Sequence, residues 1–176
     1  MRVIGLDPGL RCTGWGVIEA EANRLRHVAN GTVESDAARD VATRLMQLHE
    51  ALADVIAEFT PEEAAIEVTL ANRNPVSTLK LGMARGTALL TAALAHLPVA
   101  EYQPTMVKRS VVGTGRAGKD QVAMMVRQLL PGCGVASADA ADALAVAICH
   151  AHTATSRRRW VAADPAAKVP LQGGRP

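Results

Sequence analysis

The feature that most limits the fold is a single change of period near residue 40. Before it the chain offers three strand-like runs: "RVIGLD" at 2–7, "GWGVIEA" at 14–20 and "RLRHVANGTVES" at 24–35, parted by turn residues. After it, Val41, Leu45, Leu48, Leu52, Val55 and Phe59 recur at four- and three-residue steps, so 40–59 is an amphipathic helix. Strand and helix then alternate: "AAIEVTL" at 64–70, a helix over 77–97, "VAEYQ" at 99–103, a helix "KDQVAMMVRQLL" at 119–130, and a last helix "ADAADALAVAICHAH" at 138–152. Three consecutive strands followed by alternation predict an α/β chain with a mixed five-stranded sheet flanked by helices. Pro104 is expected to end the fifth strand. Leu79, Met83, Gly86, Leu90, Ala93 and Leu97 lie along one side of the 77–97 helix. From about residue 154 the sequence turns to Thr, Arg, Pro and Gly, and a flexible basic tail over 154–176 is expected beyond one domain at 1–153.

Composition narrows the function. With 176 residues and 49% apolar content, the chain can bury a real core. No apolar run is long enough to span a membrane, and "MRVIGLDPG" enters a strand rather than a leader. The three cysteines, Cys12, Cys133 and Cys149, lack zinc-site spacings and read as reduced thiols of a cytoplasmic protein. The net charge of +2 conceals an asymmetry. Residues 1–72 hold six Lys/Arg against twelve Asp/Glu, whereas 73–127 hold eight Lys/Arg against two acids. The basic segment includes Arg73, Lys80, Arg85, Lys108, Arg116 and Lys119, and suits a polyanion such as DNA.

Four acids stand out. Asp7 ends the first strand, and Glu67 interrupts the apolar run of the fourth, where a carboxylate is costly unless compensated. Asp139 and Asp142 share one face of the last helix, about one turn apart. Singly, Asp7 could cap the "DPG" turn and Asp139 could favour the helix dipole. Together, four converging carboxylates need cations, and all-oxygen ligands suit Mg²⁺ or Mn²⁺. Two such ions about 4 Å apart would serve phosphodiester hydrolysis. A competing motif, "GTGRAGKD" at 113–120, nearly fits a nucleotide-binding loop, but Asp120 stands where that loop needs Ser or Thr.

"IGLDPGLRCTGWGVI", "AIEVTLANRNPVSTLKLGMARG", "VKRSVVGTGRAGKDQV" and "ADAADALAVAICHAH", in that order over residues 1–152, resemble the RuvC family of bacterial Holliday junction resolvases. The resemblance implies an RNase H-like fold, a homodimer formed through the 77–97 helix, and Mg²⁺-dependent nicking of two opposed strands of a four-way DNA junction. It places the family's catalytic, metal-binding acids on Asp7, Glu67, Asp139 and Asp142. Lys108 and Lys119 match functionally important basic positions, and the branch-migration proteins RuvA and RuvB become expected partners. One departure is visible. Some such resolvases carry an aromatic residue three positions after the fourth-strand Glu, where this chain has Leu70. Leu70 is expected either to enter the junction centre as an apolar wedge or to cap the core. Trp15 and Tyr102 read as core or rim residues, and His150 and His152 as non-catalytic. The alternatives are another RNase H-like nuclease acting on hybrid or structured RNA, and a phosphate- or nucleotide-binding module.

Overall fold

The computed structural model describes residues 1–68 and 74–163, with side chains described up to residue 154. Leu70 and Arg73 lie outside the described residues. The elements, in chain order, are β1 (Arg2–Asp7), β2 (Cys12–Glu21), β3 (Arg24–Glu34), α1 (Val41–Phe59), β4 (Glu63–Glu67), α2 (Pro75–Leu94), β5 (Val99–Tyr102), α3 (Pro104–Val112), α4 (Lys119–Leu129) and α5 (Ala138–Ala163). The sheet order is β3-β2-β1-β4-β5. β1, β2 and β3 pair antiparallel, while β4 pairs parallel to β1 and β5 parallel to β4. This is the mixed five-stranded sheet that the order of periods predicts.

Alternation along the strands sorts side chains into two cores. Ile4, Leu6, Val17 and Ile66 face α1 and α2, where they meet Leu48, Leu52, Ala84 and Ala88. Val3, Ile18 and Ala65 face the other way, onto α3, α4 and α5, where Val107, Val126, Leu144 and Ile148 close the second core. Asp40 caps α1 by accepting the Thr43 N–H at 3.0 Å, and Thr60, in the left-handed region at φ 43°, ends it.

Two expectations, for Pro104 and for the last helix, are corrected, and the stripe of α2 is placed. Pro104 does not merely end β5. It occupies the first turn of α3, a helix absent from the sequence reading, where a missing N–H costs nothing. The apolar stripe of α2 does not face the sheet. Ala84, Ala88, Thr91 and Ala92 are buried, whereas Leu79, Met83, Leu90 and Leu94 are exposed. The last helix does not stop near residue 153. α5 continues to Ala163, into the segment expected to form the tail.

Candidate active site

Strand parity brings the first two acids together. β1 and β4 run parallel with Leu6 opposite Ile66, so Asp7 and Glu67 follow one step later at the same ends of neighbouring strands. Both share the face of Val3 and Ala65, which packs on α5. The turn after Asp7 is held by Thr13, whose Oγ1 accepts the Gly9 N–H at 3.2 Å and donates to the Gly9 carbonyl at 2.9 Å. Thr13 therefore does the capping that Asp7 might have done.

Glycines on β1 and β2 bring α5 to these strand ends. A Cβ on Gly14 would stand 2.1 Å from the Asp139 carbonyl oxygen, and one on Gly5 would stand 2.1 Å from that of Ala143. One on Gly16 would fall 2.6 Å from the Leu144 side chain. Gly14 is the pairing partner of Asp7, so the bare backbone beside Asp7 is what admits Asp139. Sequence reasoning missed this device. Its signal was present as Gly14 and Gly16, spaced two apart on one face of "CTGWG". Ser137 caps α5 by accepting the Ala140 N–H at 3.0 Å, which leaves the Asp139 and Asp142 carboxylates to face the strand ends.

The electrostatics record the convergence. Burial, then the charges of Glu67, Asp142 and Asp139, raise the Asp7 pKa from 3.8 to about 7, against a smaller opposing effect of Lys119. Burial and then Asp142 raise Glu67 from 4.5 to about 7, while Lys108 and Lys119 lower it. Cys12, at the start of β2, has its thiol pushed up to about 11 by burial and by its hydrogen bond to Asp139.

Lys119 opens α4 and places Nζ 3.2 Å from Asp142 Oδ2, and that bond raises its own pKa. Lys108, half-buried on α3, lies close enough to act on Glu67. The structure thus brings Asp7, Glu67, Asp139, Asp142, Lys108 and Lys119 to one end of the sheet. Arg116 is exposed in the loop before α4, with its N–H 3.4 Å from Thr114 Oγ1. Lys80 is exposed near the start of α2. Arg85 is engaged by Glu101 of β5 in an ion pair, with its Nε buried and unpartnered. Trp15 packs on Phe59 with ring centroids 5.4 Å apart. Tyr102, the pairing partner of Glu67, and His150 are buried and face each other. His150 Nε2 lies 2.7 Å from Glu63 Oε2, and its Nδ1 lies 2.9 Å from the Tyr102 hydroxyl. His152 Nδ1 lies 3.2 Å from Ser110 Oγ.

The donor set is all oxygen, highly charged and partly desolvated, which fits a hard divalent cation. Among the described residues no three acidic, histidine or cysteine side chains are grouped closely enough to grip one ion as they stand.

Known proteins resemble this chain over most of its length. The sequence profile described as "Crossover junction endodeoxyribonuclease RuvC" matches residues 3–150. A protein of that name from Paramagnetospirillum magneticum is 65% identical over 152 residues, covering 86% of this chain and 92% of the relative. Its counterpart from Rhodospirillum rubrum is 62% identical over 152 residues, covering 86% and 90%. Among solved structures, Thermus thermophilus RuvC in complex with a Holliday junction substrate superposes with a TM-score of 0.82 at 33% identity, over 89% of this chain and 96% of that one. The yeast mitochondrial resolvase Ydc2, at 14% identity and a TM-score of 0.64 over 89% of this chain and 80% of its own, shares the RNase H-like fold. The matched profile spans both strands and the helix that carry the four acids, and this chain belongs to the RuvC family of crossover junction endodeoxyribonucleases.

Proposed function

We propose that this chain is a structure-selective endonuclease that resolves four-way DNA junctions by paired, metal-dependent hydrolysis of opposed strands in recombination and repair. The observation that carries the proposal is the meeting of Asp7, Glu67, Asp139 and Asp142 at one end of the sheet, where burial and then repulsion raise Asp7 and Glu67 to about 7. Those four residues would hold the metal, Mg²⁺ or Mn²⁺, as two ions per site. Bound there, the divalent ions supply a water acidic enough to attack phosphorus and charge to stabilise the leaving oxygen. The protein's own contribution is orientation and screening. Asp7 and Glu67 are fixed by strand register, and Asp139 and Asp142 by the close approach of α5. Lys108 and Lys119 hold phosphates at the rim, with Arg116 and Lys80 further out, and Arg73 and Arg85 complete the basic set. Leu70 follows Glu67 by three residues and acts as an apolar wedge at the crossover.

Two symmetric cuts need two sites related by a twofold axis. The exposed face of α2 supports a homodimer. Leu79, Leu90 and Leu94 are 61%, 58% and 60% exposed, and between them Gly82 and Gly86 meet nothing within 4 Å. Small residues flanked by apolar ones allow a second copy of this helix to approach closely. RuvA and RuvB would deliver the junction, in the cytoplasm. No described helix is long and apolar enough to cross a membrane. Residues 1–153 form the nuclease domain, with 154–176 as a basic extension.

One gel tests the proposal. The protein is incubated with a labelled four-way junction, a plain duplex and an RNA–DNA hybrid, with and without Mg²⁺. Paired nicks in the junction alone, only with metal, are expected. Preferential cleavage of the hybrid would assign the chain to the other nuclease class.

A further inference from the structure

The loop between α4 and α5 delivers Asp139, and its main-chain groups are held from across the sheet. Asn30 on β3 donates from Nδ2 to the Gly134 carbonyl at 3.0 Å. Its Oδ1 accepts the Ala136 N–H at 2.9 Å. The other main-chain bonds here are local, from the Cys133 N–H to Leu130 and from the Ala141 N–H to Ser137.

The pair of loop bonds fixes which end of the amide is nitrogen. The remaining Nδ2 hydrogen then faces His27 Nε2 at 2.8 Å, so Nε2 must be an unprotonated acceptor. Burial lowers the His27 pKa and favours that neutral form. Asn30 pairs with Gly16, and two residues on, Thr32 pairs with Gly14, where the Asp139 main chain makes its close approach. β3 therefore holds the loop one step before β2 receives the helix. The three contacts, at Gly134, Ala136 and Asp139, follow one another along the chain into α5.

We infer that Asn30, buttressed by His27, is a positioning residue for the nuclease site: it clamps the loop at 134–136 and so sets the placement of Asp139 and Asp142 opposite Asp7 and Glu67. It does not touch substrate and acts through the carboxylates. The inference rests on the reading of those four acids as the metal-binding set.

The test uses the full chain and the variants Asn30→Ala, Asn30→Asp and Asp139→Asn. Three quantities are measured: junction cleavage against Mg²⁺ concentration, junction binding in EDTA, and the rise in melting temperature on adding Mg²⁺. Loss of an outer support of a metal site typically costs about 10- to 100-fold in affinity or activity. Asn30→Ala is expected to lose that much cleavage, to need more Mg²⁺ and to show a smaller Mg²⁺-induced shift, with unchanged junction binding. Asn30→Asp keeps the acceptor for Ala136 but turns an oxygen on Gly134 and His27, and is expected to fall between Asn30→Ala and the parent. If Asn30→Ala does not fold, Asn30→Asp decides alone. Wild-type cleavage, metal requirement and thermal shift overturn the inference, as does a loss of junction binding equal to the loss of cleavage. A normally active Asp139→Asn sinks the four-acid reading itself. An inactive Asp139→Asn beside a fully active Asn30→Ala sinks only the positioning role.

Discussion

Asp7→Asn should abolish cleavage and, in the absence of metal, make the protein more stable. The sign follows from linkage. A carboxyl whose pKa is raised on folding from 3.8 to about 7 contributes no penalty below pH 3.8, where folded and unfolded chains both keep the proton. Between 3.8 and 7 the unfolded chain ionises first, so stability falls as pH rises. Above 7 the full penalty is present. At 1.36 kcal/mol per pH unit the ceiling is about 4 kcal/mol. Asparagine removes the charge but leaves a polar amide to satisfy, which costs about 1–3 kcal/mol when unmatched. A net gain of about 1–3 kcal/mol at pH 8 remains. The assay is urea unfolding of parent and variant in EDTA at pH 8 and pH 4. The variant's advantage should be large at pH 8 and small at pH 4. Adding Mg²⁺ should stabilise the parent and narrow the gap, because ligand binding to the folded state favours it. A variant no better off at pH 8 than at pH 4 would refute the claim that the ionised, buried Asp7 strains the folded protein.

Gly14→Ala places a Cβ 2.1 Å from the Asp139 carbonyl oxygen. It should lower stability by about 1–3 kcal/mol and abolish cleavage, measured by denaturation and junction nicking. Lys108→Ala and Lys119→Ala should each weaken junction binding and reduce the slope of log affinity against log salt by about one. Unchanged slopes in both would make them ordinary surface lysines. Leu90→Glu puts a charge on the exposed α2 face and should give monomers in sedimentation that no longer make paired nicks. Leu70→Ala should lose cleavage without a change in melting temperature while Leu70→Phe retains it; a drop of about 2–5 kcal/mol in Leu70→Ala would mark a core residue instead.

The acids were legible because strand parity and helix spacing are local. Asp7 ends one apolar run and Glu67 interrupts another, and a parallel pairing of those runs sets them side by side. What the sequence concealed was less local. α3 was missed because a proline after a strand reads as a stop, and Gln103 makes no side-chain cap to announce a helix. The α2 stripe was visible, but periodicity does not say which face is covered, and here alanines take the inside because they let the helix lie close. α5 is alanine-rich and buried on all sides over residues 143–151, so it has no polar face to mark its orientation. The clamp at Asn30 spans more than a hundred residues of sequence, and no spacing rule reaches that far.

The glycine contacts between sheet and α5 bear on the mechanical tolerance of the site. Where helices rest on sheets through large side chains, rotamer changes can take up a displacement of a few tenths of an ångström. At Gly5 and Gly14 the helix main chain bears directly on strand main chain, and no soft torsion lies between them. Any motion that separates Asp139 from Asp7 must therefore bend a strand or lift a whole helix. Such motions are collective, so on the timescale of a side-chain flip the backbone spacing of the two acids is that of a rigid body.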